Sequence, residues 1–324
     1  MNLRPFDWRD LSALHRYRKR CVFLNSALLL TRGAHAFAGS VLSYLTPASG
    51  IYTSVSTHNG DTKHSLIGQV IHTPGTQVAQ MTFLSPDEAL ESSALPELID
   101  YLSAQAVDRG AFRLLAEVDE NSQAYASLRS TSFAIYARQR IWQIDAPVRE
   151  EPASLPWQVA SELDLISVRS LYNNTVPGLV QQVEPFPVER LNGMVYRQDD
   201  EVLAYVELKY GPRGIYVQPF VHPDAGHLVP GLLELLPQVP PRRSRPVYLC
   251  IRSYNSWLET ALEEDGARAG PRQAVMVKHL AIPQKVVRAY ALPVLEGGHP
   301  EVTAPIAQSQ PVQTIIVQKD TCGY

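Results

Sequence analysis

A histidine and a glycine in the second half of the chain have the residue types for acid–base chemistry and for anion binding. His222 follows a strand-like run at residues 214–221, and an imidazole changes charge in the pH range where enzymes move protons. Gly226 and His227 come next, where backbone N–H groups at the start of a short predicted helix can meet a phosphate. The alternatives are a structural histidine before a proline and a turn that contains a glycine. These residues are therefore candidates for a ligand site.

A strand followed by a helix occurs twice, with similar residues at matching positions. Residues 112–118 and 247–251 are apolar runs of the kind that form buried strands. In the first copy the positions after the strand are Asn121, Ala124, Leu128, Ser132 and Phe133. In the second copy, each 134 residues further on, they are Asn255, Leu258, Leu262, Gly266 and Ala267. This offset indicates one domain per copy.

The first copy resembles the helix that follows the fifth strand in the GNAT (Gcn5-related N-acetyltransferase) superfamily, whose pattern is N-x-x-A-x-x-x-Y-x-x-x-G-F. Asn121, Ala124 and Phe133 match that pattern, and Gly266 matches it in the second copy. In the family, acetyl-CoA lies where strands four and five splay apart, at the start of this helix. The resemblance therefore implies that Asn121 and Asn255 contact a cofactor.

The family's tyrosine, which protonates the leaving thiolate, would fall at Leu128 and Leu262. A leucine has no proton to donate, so the resemblance predicts the fold more strongly than the chemistry.

The resemblance also implies a glycine-rich loop for the pyrophosphate between strand four and the next helix. In the first half, the corresponding residues 85–98 contain no glycine, and three carboxylates near the expected phosphate positions oppose an anionic cofactor. The carboxylates are those of Asp87, Glu88 and Glu91. The alternative is an ordinary acidic helix N-terminus. The cofactor contacts implied by position are Leu84, Ser92, Ser93 and Ala94 in the first half, and Val221, Gly226 and His227 in the second.

For a general base, a GNAT-like site would use a glutamate or a positioned water near strands four and five. Glu117 lies on the predicted fifth strand of the first half, and Glu207 on a predicted strand of the second. His222 is a further candidate. Each glutamate has an alternative role as a surface residue of its strand.

The charge, the cysteines and the missing motifs of the chain argue against several classes of function. The formal net charge of −3 gives no field that would drive the chain to nucleic acid. Cys21, Cys250 and Cys322 are too few and too scattered for a disulfide framework or a zinc site. No signal peptide, membrane span, Walker loop, dinucleotide-binding fingerprint or metalloprotease motif is present. We therefore expect a cytoplasmic protein with no metal, no nucleic-acid partner and no membrane association.

The predicted fold class is α/β, with two consecutive GNAT-like domains, each a mixed central sheet flanked by helices. The predicted boundaries are an N-terminal domain at 1–145, a proline-rich linker at 146–156, a C-terminal domain at 157–283 and a flexible tail at 284–324. In the first domain we predict strands at 36–45, 51–56, 65–72, 77–84 and 134–144, and a helix at 95–107. In the second we predict helices at 161–172 and 228–236, and strands at 193–197, 201–209, 214–221 and 275–282.

Two functions from different classes follow. One is a GNAT-like N-acyltransferase that moves an acetyl or related acyl group from acyl-CoA to the amine of a small molecule or peptide. The other is a non-catalytic GNAT-fold module that binds a ligand or partner, favoured by the missing tyrosine and loop glycines. A third interpretation is an unrelated α/β protein, in which the repeat is coincidence. The sequence identifies neither the acceptor nor the oligomeric state. It also does not indicate which half holds the working cleft.

Overall fold

The computed structural model describes residues 2–33, 50–58, 61–144, 157–186, 190–223, 225, 245–264 and 266–280. The described strands of the first half are β1 (Asn2–Pro5), β2 (Val22–Phe23), β3 (Ile51–His58), β4 (Asp61–His72), β5 (Val78–Ser85), β6 (Arg113–Asp119) and β7 (Ala134–Ile144). Its described helices are α1 (Leu11–Tyr17), α2 (Ser26–Arg32), α3 (Ala94–Val107) and α4 (Gln123–Ser130).

The described part of the second half repeats much of this order. Its strands are β8 (Gln158–Val159), β9 (Gly193–Gln198), β10 (Glu201–Tyr210), β11 (Ile215–Val221), β12 (Val247–Arg252) and β13 (Arg268–His279). Its helices are α5 (Leu165–Thr175), α6 (Gly178–Val183) and α7 (Glu259–Glu264), and a 3-10 segment, Ser253–Leu258, joins β12 to α7.

The amphipathic pattern of α3 shows how the sequence produces these elements. Its apolar residues recur at helical spacing and are fully buried against the sheet. They are Leu95, Leu98, Ile99, Leu102 and Ala106. The chain turns after the helix at Gly110, whose φ of 95° is readily adopted only by glycine. The predicted helix at 95–107 is confirmed.

All of the described strands belong to one mixed sheet. The order along it is β1-β3-β4-β5-β6-β13-β7-β12-β11-β10-β9-β8, and β2 pairs with β5 away from this path. The last strand of the second half, β13, is inserted between β6 and β7 of the first half, and β7 in turn pairs with β12. The two halves therefore exchange strands.

A pair of glutamines marks the centre of this exchange. In the antiparallel pairing of β7 with β13, Gln139 is the register partner of Gln273. Their side chains are hydrogen-bonded at 2.8 Å, and the two residues are 134 positions apart. This is the same offset as that of the sequence repeat, so an approximate twofold relation between the halves passes close to this pair.

Most predicted elements within the described ranges are confirmed. Predicted strands 51–56, 65–72, 77–84, 134–144, 193–197, 201–209 and 214–221 coincide with observed strands to within a few residues. The helix predicted at 161–172 is observed as a 3-10 turn followed by α5, and the closing strand begins at Arg268 rather than 275. The predicted strand 36–45, helix 228–236, linker 146–156 and tail 284–324 lie outside the described residues.

Candidate active site

In each half, two parallel strands separate after a short paired stretch. β5 and β6 are paired only from Val78 with Arg113 to Gln80 with Leu115. β11 and β12 are paired over an equally short stretch, from Ile215 with Val247 to Val217 with Leu249. Beyond these points the strands diverge. The chain thus contains two gaps of the kind that the GNAT resemblance implies.

The first gap is filled by the chain's own backbone. Val22 and Phe23 of β2 pair with Leu84 and Phe83 of β5. The next residue, Leu24, bridges the gap and is completely buried.

Three hydrogen bonds hold Leu24 there. Its N–H donates to the carbonyl of Thr82 on β5 at 2.8 Å, and its carbonyl accepts from the backbone N–H of Glu117 on β6 at 2.9 Å. The same carbonyl also accepts from Nε2 of Gln80 at 3.0 Å. Residues 22–26, the inserted segment, therefore bridge the two strands where an extended ligand would otherwise pair.

The cofactor-contact residues implied for the first half lie around this filled gap. Leu84 is fully buried, and its strand position is paired with Val22. The Ser92 hydroxyl donates to the carbonyl of Ala89 at 2.6 Å. Ser93 and Ala94 form the N-cap and first residue of α3.

Asn121 lies in the turn before α4, where its N–H donates to Oδ1 of Asp119 at 2.9 Å and its side chain is exposed. The helix begins two residues later, at Gln123. The structure therefore places this asparagine at the surface.

The second gap is different within the described ranges. There, β11 pairs only with β10 and β12, so no described strand occupies the position that β2 takes in the first half. The buried Asn255 spans the gap with a 3.3 Å bond from Nδ2 to the carbonyl of Pro219. Val221, at the end of β11, is buried in the core. Gly226 and His227 lie outside the described residues.

A polar cavity of about 430 Å³ lies on the face of the sheet beneath α2, between the two gaps. Both halves contribute to it, since its wall includes Glu117 and Tyr136 from the first and Lys209, Gln218 and Arg252 from the second. This volume suits a small molecule. We call it the central cavity.

Glu117 lies in the wall of the central cavity with one oxygen engaged. Its Oε2 accepts from the backbone N–H of Ser26 at 2.9 Å and from Nε2 of Gln139 at 3.1 Å. Within the described part of the chain, Oε1 has no hydrogen-bond partner. The carboxylate is therefore fixed in position and retains an acceptor oxygen.

Arg252 is a buried cation at the second-half side of the central cavity. Only 4% of it is exposed, and its Nη2 donates to both oxygens of Glu184 at 2.9 and 3.1 Å. Its Nε and Nη1 are buried without a partner among the described residues. The hydroxyl of Tyr136 makes a short hydrogen bond to Glu184. Burial, and next the charge of Glu184, raise the pKa of Tyr136 well above its usual value, so its hydroxyl remains a donor.

Neutral side chains separate the carboxylate of Glu117 from the guanidinium of Arg252. Gln139 connects Glu117 to Cys250, whose Sγ donates to Oε1 of Gln139 at 3.3 Å. Burial raises the pKa of Cys250 to about 11. Burial also raises the pKa of Tyr216, whose ring lines the central cavity. At neutral pH these groups are therefore uncharged.

Glu207 and His222, the other acid–base candidates, do not line the central cavity. Glu207 lies on β10, 3.7 Å from the Nζ of Lys209, and its charge raises the pKa of that lysine. His222 follows β11 and is held by its backbone N–H, which donates to the carbonyl of Leu203 at 2.9 Å. Of the three candidates, only Glu117 is placed at the cavity.

The two leucines that replace the family's tyrosine are core residues. Leu128 is fully buried in the first-half core, and Leu262 is 2% exposed in the second. Neither residue lines the central cavity. Both positions therefore contribute packing.

Sequence reasoning missed Arg252, Glu184 and Tyr136. Arg252 carried one signal, a charged residue directly after the apolar run 247–251. Glu184 and Tyr136 carried none, because the strand exchange that brings them together is not visible in local patterns.

Neither a family model nor a curated protein matches the chain. Several solved structures, however, are similar to the chain. A tandem GNAT protein from the clavulanic acid biosynthesis pathway is 15% identical with a TM-score of 0.47, over 86% of this chain and 98% of its own.

Two further solved structures give similar values. A GCN5-related N-acetyltransferase from Sphaerobacter thermophilus is 11% identical with a TM-score of 0.46, over 72% of this chain and 81% of its own. A putative acetyltransferase from Pyrococcus horikoshii is 12% identical with a TM-score of 0.48, over 88% of this chain and 91% of its own. These values permit no inference about activity.

The assignment of the fold rests on the strand order and on the two gaps. A mixed sheet, a parallel pair that separates, and a helical segment after the second strand of that pair occur in both halves. The third interpretation, an unrelated α/β protein, is therefore rejected. The chain folds as two consecutive GNAT-like halves.

Proposed function

We propose that the protein is an N-acyltransferase with a single acyl-CoA site, in the gap between β11 and β12, and an acceptor site in the central cavity. The observation that carries this proposal is the inserted segment, which fills the first gap, whereas no described strand fills the second. Acyl-CoA would enter the second gap, where β11 and β12 diverge, and an extended pantetheine chain could pair with their edges once Asn255 releases the carbonyl of Pro219 to which it is now bonded. When bound, it supplies the activated acyl group.

In this proposal the acceptor amine enters the central cavity, which reaches the second gap through Gln218 and Arg252. Glu117 accepts the proton of the ammonium at its free Oε1, directly or through one water. The nitrogen would then attack the thioester carbonyl, so that an N–C bond forms as the C–S bond breaks, and the nitrogen would release its second proton to solvent. The leaving thiolate takes a proton from solvent, since Leu262 cannot provide one.

Binding of the cofactor is the first test of this function. A ligand that binds only the native state raises the melting temperature with its occupancy. Acetyl-CoA and CoA at millimolar concentration should both raise it, and acetyl-CoA with a suitable amine should release free thiol. If neither ligand shifts the melting temperature, acyl-CoA binding is rejected.

A non-catalytic ligand-binding module is the second candidate. The buried Leu128 and Leu262 favour it, because the usual acid is replaced by packing in both halves. It predicts no release of thiol from acetyl-CoA with any amine, and it is the interpretation that remains if neither acetyl-CoA nor CoA shifts the melting temperature. The cytoplasmic location expected from the sequence stays a prediction; no helix in the described ranges is long and apolar enough to cross a bilayer.

A further inference from the structure

Arg252 has more hydrogen-bond donors than the described residues use. A guanidinium carries five N–H donors, and among the described residues only Nη2 has a partner, the carboxylate of Glu184. The residue is 4% exposed. A buried cation with unused donors is costly, and such a group in a native structure calls for an explanation.

We propose that the acceptor is an amine that also carries a carboxylate, of the amino-acid class, and that Arg252 binds this carboxylate. Arginine suits the role because its planar, permanently charged head pairs closely with carboxylates. Nε and Nη1 are covered in the present conformation, so binding requires the side chain to rotate. The inference rests on the proposed function, because it places the acceptor in the central cavity.

The charges around the central cavity match a zwitterion. The described wall carries three cations, Arg32, Lys209 and Arg252, and two carboxylates. Glu184 is paired with Arg252, whereas Glu117 keeps one oxygen without a partner among the described residues. An amino acid placed with its carboxylate at Arg252 would therefore direct its ammonium group toward Glu117. A volume of about 430 Å³ admits a ligand of this size.

Matched ligand pairs test the inference on the unaltered protein. The probes are the common L-amino acids and their carboxamides, which keep the amine and side chain but lose the negative charge. For the best-binding amino acid, measured by calorimetry in the presence of CoA, the carboxamide should bind roughly 10- to 100-fold more weakly, as expected for loss of charge-assisted hydrogen bonds. Equal affinity within such pairs, or no binding by any amino acid at millimolar concentration, overturns the inference.

Variants of Arg252 then test whether this residue causes the preference for the amino acid over its carboxamide. Arg252→Gln should remove the preference for acid over carboxamide, and Arg252→Lys should retain part of it. Arg138→Gln is the control, because Arg138 is 57% exposed and outside the central cavity. If Arg252→Gln melts far below the wild type, the comparison of ligand pairs on the unaltered protein still decides.

The outcomes separate this inference from the proposed function. Binding that prefers the acid, without acyl transfer, supports the inference and contradicts the proposed function. Acyl transfer to amines with no preference for a carboxylate supports the proposed function and contradicts the inference. If Arg252→Gln abolishes the acetyl-CoA shift but keeps the acid preference, the guanidinium serves the cofactor and the inference is wrong.

Discussion

At the scale of single residues, the site depends on which carboxylate retains an unused oxygen beside the central cavity. Glu117 and Glu207 are both strand glutamates, and the sequence made both of them candidates. Only Glu117 lines the cavity, with two donors on one oxygen and, among the described residues, none on the other. Glu207 lies near Lys209. The sequence could identify the residue types, but it could not rank them, because the ranking depends on contacts with Ser26 and Gln139 that are distant in the chain.

The first prediction concerns Glu117. Glu117→Gln keeps the size of the side chain but removes its basicity, so kcat should fall roughly 100-fold or more. The KM for acetyl-CoA should change little, because Glu117 lies on β6 beside the first gap, whereas the proposed acyl-CoA site lies between β11 and β12. Steady-state kinetics measures both constants.

The matched control is Glu207→Gln, with the same chemical change on a strand glutamate outside the cavity. We expect kcat near the wild-type value. If Glu207→Gln loses activity and Glu117→Gln does not, the assignment of the base is wrong.

The second prediction concerns buried acids and alkaline pH. Burial raises the pKa of Cys250 from 9.0 to about 11, so the unfolded state releases this proton first. The contribution to stability is complete below pH 9 and is lost as pH rises toward 11, by at most about 1.4 kcal/mol per pH unit per group. Burial also raises the pKa of Tyr136 and Tyr216, so these residues lower the free energy of unfolding in the same way at higher pH.

Urea unfolding at several pH values above 8 measures this effect. The free energy of unfolding should fall as pH rises, and the fall between pH 9 and 11 should be smaller in Cys250→Ser, which has no thiol to ionise. An identical pH dependence in that variant would show that Cys250 contributes nothing.

At the scale of elements, the inserted segment determines which gap can bind a ligand. Most strands and helices are predicted from periodicity alone, since each buries one face at a regular spacing along the chain. The sequence of residues 21–30 shows only an apolar segment. Its insertion between β5 and β6 depends on bonds to Thr82 and Glu117, far along the chain, and local pattern carries no information about such contacts.

The third prediction tests this segment. Leu24→Ala removes a fully buried side chain and should cost about 2–5 kcal/mol of stability. It should leave the KM for acetyl-CoA unchanged, because the backbone of residue 24 still bridges the first gap. Urea unfolding and steady-state kinetics provide the two readouts.

Leu163→Ala is the matched control, because Leu163 is 91% exposed. We expect a change within about 0.5 kcal/mol. A new acetyl-CoA site in Leu24→Ala, seen as a second binding event by calorimetry, would contradict the view that the backbone of the inserted segment is enough to fill the first gap.

At the scale of the whole molecule, the strand exchange joins the halves into one sheet. The sequence indicated two consecutive domains through the 134-residue repeat, and both GNAT-like halves are observed. The exchange of β7 and β13 could not be predicted, because a repeat offset describes the similarity of two segments and not their pairing.

The fourth prediction follows from this exchange. Because β13 lies between β6 and β7, neither half has a complete sheet alone. Residues 1–156 expressed alone should lack a cooperative melting transition, whereas the full chain should melt in one main transition. Scanning calorimetry compares the two, and cooperative melting of the isolated segment would show that the half folds without β13.

The most direct test of a single acyl-CoA site is hydrogen–deuterium exchange with and without acetyl-CoA. The account predicts slower exchange on binding at residues 218–221 and 250–258, beside the second gap, and no change at residues 82–85 and 117–121, beside the first. Protection confined to the first gap, or equal protection of both, would contradict it.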